Sequence, residues 1–299
     1  MKIENIVLDF DGTCTQIPLI YKGFLERYLI EMNQSLFKNN PISQKEWDET
    51  QKRVFQNSPA KGWTIKSTPS APCGADPYIL AYEAAKYLVN EYKLVLDKKL
   101  CIEDLLSDAF KNAVSKNTAP WRTEAKMVFD ELLQKNCMIF IDSNSSSETV
   151  LNRLKELYAD HIPENIKIQS GASKYYIGEI GLSTKISTIS QKLFERIPAA
   201  KMVKGLTRPV YLRRPLYFEA IDSIFGLQKT NLSNTVFCGD IWEMDLALPA
   251  ALGANIHLIT REAPFSTYDF ELDEVANSSV GNKTGKDLKS LLDWFYESL

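Results

Sequence analysis

The stretch Asn5-Ile-Val-Leu-Asp9-Phe-Asp11-Gly12-Thr13 decides the fold. Residues 5–8 form a short apolar run broken by Asp-Gly-Thr, which reads as a buried strand running into a tight turn. Side chains two apart on such a segment project to the same side, so Asp9 and Asp11 point one way while Gly12 supplies the turn. Two carboxylates held together repel each other, and the repulsion must be relieved by a proton or a cation. The carboxyl edge of an open parallel sheet is also where such folds bind ligands. The plainer alternative is a turn-and-cap motif, since Asp, Gly and Thr are common where strands meet helices.

Outward from this motif the pattern changes character. From about 16 to 117 it is helical, with Ile20, Phe24, Tyr28, Met32 and Leu36 at helical spacing. Ser43 with Glu46 makes a capping box, and Asp76-Pro77 opens a helix carrying Ile79, Leu80, Ala84 and Leu88. From Pro120 onward helices and strands alternate. Strands are expected at 137–141, 166–169, 234–238 and 255–259. Helices are expected near 146–158, 215–226 and 243–252, with a final amphipathic one through Leu288, Leu291, Leu292 and Phe295. Alternation of this kind predicts an α/β fold with a Rossmann-like parallel sheet. The core is expected to comprise 1–15 and 120–299, an α-helical cap domain 16–119, and an extra insertion about 170–209. Residues 56–75, broken by Pro59, Gly62, Pro69, Pro72 and Gly74, read as a long loop of the kind that is either a functional lid or disordered.

Composition narrows the chemistry. The 299 residues are 44% hydrophobic and 24% charged, an ordinary globular balance. The net charge of -3 leaves no basic excess to follow a phosphate backbone, so nucleic acid is not an expected partner. There are two histidines, His161 and His257, which excludes a histidine-rich zinc site. Five scattered cysteines with no CxxC pair fit a reducing compartment. With no secretory h-region and no apolar run near the ~18 residues of a membrane span, a cytoplasmic protein without membrane association is expected.

A second acidic motif, Gly239-Asp240-Ile-Trp-Glu-Met-Asp245, follows the strand at 234–238. Asp240 again stands at a strand end, and Asp245 falls in the first turn of the next helix, where capping is the plainer explanation. Together Asp9, Asp11, Asp240 and Asp245 make an oxygen-only cluster suited to a hard cation such as Mg²⁺ shared with phosphate oxygens. Ser143-Asn144 follows the strand at 137–141, and a hydroxyl backed by free helix N–H groups can clamp phosphate. Ser145 and Ser146 serve equally as helix caps. Asp142 puts a charge where an apolar strand residue is typical.

In chain order these motifs resemble the haloacid dehalogenase (HAD) superfamily, in its phosphatase branch. Asp9–Thr13 is similar to the first motif, Ser143 to the second and Gly239–Asp245 to the fourth, with the helical cap inserted after the first. The resemblance implies that Asp9 is a nucleophile forming an aspartyl-phosphate and Asp11 the acid and later the base. It implies that Mg²⁺ is held by Asp9, Asp240 and the backbone carbonyl of Asp11, with Asp245 beside them. An aspartate at position 11 favours phosphate esters over halides, because alkoxide leaving groups need a proton. The third motif, usually Lys-Pro, corresponds to Arg213-Arg214-Pro215, which makes Arg214 the expected charge partner and leaves Lys174 and Lys204 as fallbacks. Asn144, Gly12 and Thr13 are expected to bind substrate, and Lys61 and Lys66 in the 56–75 loop to set specificity. The implied function is Mg²⁺-dependent hydrolysis of a small phosphorylated metabolite. A phosphotransferase such as a sugar phosphomutase, and a catalytically degenerate binding protein, are the alternatives.

Overall fold

The computed structural model describes residues 2–94, 101–159, 161–181, 184–227 and 230–296. In chain order the elements are β1 (Asn5–Leu8), α1 (Tyr21–Ser35), α2 (Gln44–Gln56), β2 (Trp63–Ile65), β3 (Thr68–Ala71), α3 (Pro77–Glu91) and α4 (Ile102–Ser115). Then come α5 (Ala125–Gln134), β4 (Met138–Ser143), α6 (Ser147–Tyr158), β5 (Ile166–Ser170), α7 (Thr188–Arg196), β6 (Ala200–Met202) and β7 (Pro209–Tyr211). The chain finishes with α8 (Pro215–Phe225), β8 (Thr235–Gly239), α9 (Ala247–Ala251), β9 (Asn255–Ile259), α10 (Asp269–Ala276), β10 (Asn282–Gly285) and α11 (Asp293–Tyr296). Among the described residues no helix is long and apolar enough to cross a membrane.

The chain divides into two compact units. One comprises Met1–Thr15, Ile65–Ser70 and Trp121–Leu299; the other comprises Gln16–Thr64 and Ala71–Pro120. The first is built on a six-stranded sheet in the order β10-β9-β8-β1-β4-β5, with every neighbouring pair parallel. Its central strands β1, β8 and β9 are buried on both faces, as helices covering both sides require, while the edge strands β5 and β10 are partly exposed. Val7, Phe237, Ile256 and Leu258 pack on one side with Phe218 and Ile221 of α8. Ile6, Leu8, Ile139, Ile141 and Val236 pack on the other with Val128 and Phe129 of α5 and Leu154 of α6. β1 lies between β8 and β4, so the chain crosses to both sides of it, and the ends of these strands form the switch point where such sheets open a crevice.

The second unit has its own core, in which Phe24, Tyr28 and Met32 of α1 meet Trp47 of α2, Ala84 and Leu88 of α3 and Leu106 of α4. Ser43 caps α2 by accepting from Glu46 N at 3.2 Å, and Asp76 caps α3 by accepting from Ile79 N at 2.7 Å.

Three expected elements take another form. The 56–75 loop contains the β2–β3 ribbon, whose two-residue turn, Lys66-Ser67, has φ of +47° and +68°. Left-handed backbone at both positions is what a type I′ hairpin turn demands, and neither residue is the usual Asn or Gly. The helix expected over 243–252 begins as a π-helical turn at Trp242–Leu246. Pro249 has no N–H to give the Asp245 carbonyl four residues back, and the Tyr217 hydroxyl donates to it instead at 2.7 Å. The C-terminal amphipathic segment opens as a 3-10 turn, Leu288–Leu292, before α11.

Candidate active site

Strand register assembles the site. Leu8 is level with Cys238 on one side and Ile141 on the other, so the residues just beyond β1, β8 and β4 reach the same sheet edge. The Asp9 N–H donates to the Cys238 carbonyl at 2.9 Å, which pins the first acidic motif to the strand that leads into the second. Two glycines permit the close approach. Gly12 has φ +90°, and a Cβ there would stand 2.6 Å from Asp240 Oδ2; a Cβ on Gly239 would stand 2.3 Å from Asp245 Cβ.

Asp9, Asp240 and Asp245 are all buried and offer oxygens within 4.8 Å of one another. Lys174 Nζ, 1% exposed, lies 2.9 Å from Asp9 Oδ1 and 3.1 Å from Asp245 Oδ1. The Thr13 hydroxyl is 3.2 Å from Asp9 Oδ2 and 3.3 Å from Asp240 Oδ1, bridging the two carboxylates with its single proton. Asp245 Oδ2 accepts from Ile241 N at 3.1 Å, so this residue holds the turn after β8 as well as Lys174. Burial raises the Asp9 pKa well above the usual carboxylate range; Lys174 opposes the rise, and Asp245 and Asp240 add to it. For Lys174 burial works against the charge, but Asp245 and Asp9 outweigh it and the net movement is upward. An all-oxygen, self-repelling triad with one lysine beside it fits a hard divalent cation.

Asp11 stands apart from the triad. Its Oδ2 accepts from Ser145 Oγ at 2.9 Å, and burial raises its pKa against the opposing influence of Ser145, Arg153 and Lys174. Ser143 Oγ accepts from Ser145 N at 3.0 Å, and Ser146 is the residue that caps α6. Asn144 Oδ1 accepts from Lys174 N at 2.8 Å, which ties the loop after β4 to the loop after β5. Arg122 grips the first motif from behind, donating from Nε to Thr13 O at 2.7 Å and from Nη2 to Gly12 O at 2.9 Å.

No protein-family model and no curated protein sequence matches the chain. Solved structures match over nearly its whole length. A predicted phosphoglycolate phosphatase from Haemophilus somnus is 14% identical, covers 98% of each chain and superposes with a TM-score of 0.53. A protein described as a β-phosphoglucomutase from Thermotoga maritima is 11% identical over 99% of this chain and 100% of its own, with a TM-score of 0.50. The HAD-type hydrolase YfnB of Bacillus subtilis, solved with magnesium, is 12% identical over 98% of each chain, TM-score 0.48. This chain has the haloacid dehalogenase superfamily fold.

Within that HAD core the third motif departs from the sequence expectation. Arg214 does not meet Asp9. Its guanidinium is fully buried and donates to Ser70 Oγ at 3.0 Å, Ser70 O at 2.7 Å and the Lys174 carbonyl. The ammonium on Asp9 belongs to Lys174, which follows β5 and lies near the start of the 170–209 segment expected as an insertion. That segment holds α7 and the antiparallel β6–β7 ribbon, and the rest of it separates Lys174 from Pro215 at the start of α8. Lys204 is exposed between β6 and β7. Lys66 lies over the Tyr176 ring, 5.3 Å from its centroid. Lys61 belongs to the helical unit, where it lines a cavity of about 340 Å³ with Arg53, Glu83 and Lys86. Asp142 is wholly buried on the sheet face opposite Ser143, and neither carboxylate oxygen has a hydrogen-bond partner among the described residues. Burial pushes its pKa up to about 6, with Lys174 lowering it and Asp245 raising it.

Sequence reasoning assigned no role to Arg122 or Tyr217 and gave Ser145 only that of a helix cap. The run Ser143-Asn-Ser-Ser-Ser147 carries more hydroxyls than a helix cap needs, a signal that Ser145 could be doing something else.

Proposed function

We propose that the chain is a Mg²⁺-dependent phosphatase acting on a small phosphomonoester through an aspartyl-phosphate on Asp9. The observation that carries this reading is the Asp9 carboxylate at the end of β1, held between Lys174 Nζ and the Thr13 hydroxyl, with Asp11 fixed separately by Ser145. In the first step an Asp9 oxygen attacks phosphorus in line, and the ester P–O bond breaks as the new one forms. Asp11 delivers its proton to the departing alkoxide, a task helped by its raised pKa. Water then loses a proton to Asp11 and attacks the aspartyl-phosphate, releasing inorganic phosphate and restoring Asp9. Lys174 takes the charge role that the sequence placed on Arg214: it steadies the Asp9 carboxylate and the phosphoryl oxygens. Asp9 and Asp240 would hold the Mg²⁺, with the Asp11 carbonyl and Asp245 beside them; when bound, the ion supplies positive charge to the phosphoryl oxygens. Ser143, Asn144, Gly12 and Thr13 surround the phosphoryl position, and Lys61 and Lys66 are candidates for discriminating the leaving group.

A panel of phosphomonoesters assayed with Mg²⁺ tests the reading. Turnover is expected for at least one small ester and none for Asp9→Asn, whose amide cannot form the acyl-phosphate. An Asp9→Asn variant as active as the parent would rule the covalent route out.

A further inference from the structure

We infer that Arg214 and Ser70 form a positioning clamp that fixes Lys174 against Asp9. The inference rests on the role proposed above for Lys174. A lysine reaches its partner through a flexible four-carbon stem, so its backbone must be held if the ammonium is to stay in one place. Here the Lys174 peptide is held on both sides. Its N–H goes to Asn144 Oδ1 at 2.8 Å, and its carbonyl accepts from Arg214 Nη1. The next carbonyl, that of Tyr175, accepts from Ser70 Oγ at 2.7 Å. The same Ser70 hydroxyl accepts from Arg214 Nη1 at 3.0 Å, and Arg214 Nη2 donates to the Ser70 carbonyl at 2.7 Å. Two buried side chains thus link Ser70, Lys174 and Tyr175 into one hydrogen-bonded ring.

The energetics point the same way. Burying a guanidinium is costly, and the cost is best offset by a carboxylate. The hydrogen bonds of Arg214 go to two carbonyls and one hydroxyl, and its Nε has no partner among the described residues. A fold needing only bulk at this position is served more cheaply by an apolar side chain. What the guanidinium adds is a planar fork, able to donate to Ser70 and to Lys174 at once from fixed directions. A lysine at 214 supplies the charge without the fork. Ser70 belongs to the 65–70 segment of the first unit, beyond the Lys66-Ser67 turn, so a stretch otherwise flanked by the helical unit completes the setting of Lys174.

The test uses the full-length enzyme, Mg²⁺ and a generic aryl phosphate ester, with Lys174→Met as the control on the underlying reading. Arg214→Ala is expected to lower kcat on the order of 10²-fold while KM stays within about threefold, as loss of positioning does. Ser70→Ala is expected to lower kcat on the order of tenfold, and the double variant to fall no further than Arg214→Ala, because the two residues act as one unit. Added guanidinium ion should recover part of the rate in Arg214→Ala and none in Lys174→Met, and Arg214→Lys should remain as slow as Arg214→Ala. An inactive Lys174→Met beside a near-normal Arg214→Ala overturns the clamp and leaves the role of Lys174 standing. An active Lys174→Met overturns that role itself. Independent, additive losses at 70 and 214, with weakened inorganic phosphate binding in Arg214→Ala, would place the guanidinium on the phosphoryl group and overturn the clamp. Should Arg214→Ala fail to fold, Ser70→Ala and its coupling to Arg214→Lys decide the matter.

Discussion

Lys174 Nζ rests 2.9 Å from Asp9 Oδ1, across 165 positions of sequence, and both side chains are buried. This ammonium also pairs with Asp245 at 3.1 Å, so it holds two members of the acidic triad and the charge state of the site turns on it. Lys174→Met should abolish measurable turnover and also destabilise the fold, by about 3–5 kcal/mol as for other broken buried pairs. Chemical denaturation without metal checks the second half. Unchanged stability would mean that Asp9 and Asp245 are not relying on this lysine.

Asp11 and its Ser145 hydrogen bond bear on the leaving group. If Asp11 supplies the proton, Asp11→Asn should cost about 10²–10⁴-fold in kcat with alkyl phosphates. The loss should be much smaller with an aryl phosphate whose leaving phenolate needs no proton. Equal losses on both ester types would show that Asp11 is doing something other than protonating the leaving oxygen.

The triad makes a prediction that does not depend on turnover. A cation bound by Asp9 and Asp240 stabilises the folded state by mass action, about 2.7 kcal/mol at a hundredfold excess over its Kd. Mg²⁺ should therefore raise the Tm of the parent protein, and EDTA should reverse the rise. In Asp240→Asn the shift should vanish. A Mg²⁺-dependent Tm that survives this substitution would move the metal elsewhere.

Asp142 should leave a signature in the pH dependence of stability. Burial pushes its carboxyl up to about 6, from an ordinary value of 3.8. Between those values the unfolded chain has released the proton and the folded chain still holds it, so stability falls as pH rises from about 4 to about 6. The contribution is about 3 kcal/mol, fully present below the lower value and lost above the upper one. Asp142→Asn should flatten this part of the profile in denaturation curves taken across the range. A profile with the same slope in the variant would remove Asp142 as its source.

The parts of this molecule that sequence made visible are those whose signals are local. Asp9 to Thr13 compress strand, turn and paired carboxylates into a few residues, and Asp240 repeats the arrangement after β8. The burial of the central strands β1 and β8 showed in short apolar runs. Lys174 had no such local signal and entered the sequence reading only as a fallback for the third motif. It follows an edge strand, stands well before the Arg-Pro pair that resembles the third motif, and acquires meaning only when β5 is placed beside β4. The contacts of Arg214 were hidden for the same reason, since it donates to Ser70, 144 positions away, and to the Lys174 carbonyl. An ordinary helix was expected over 243–252; the π-helical turn at its start goes with a Tyr217 hydroxyl that comes from α8, which no local pattern reveals. The hairpin turn at Lys66-Ser67 lacks the glycine or asparagine by which such turns are read.

The points where the helical insert leaves and rejoins the sheet unit lie side by side: Thr15 and Trp121 form an antiparallel bridge, and Arg122 N donates to Cys14 O at 2.9 Å. Topologically, then, a short linker across those positions could splice the insert out or exchange it for another, as with a cassette. The 65–70 segment makes that exchange asymmetric. Any replacement module must bring its own counterpart of Ser70, placed to receive Arg214, or the transplant will carry an intact set of carboxylates and a lysine that has lost half of its clamp. Recombination among chains of this architecture would therefore be filtered at one short hairpin rather than at the splice junctions.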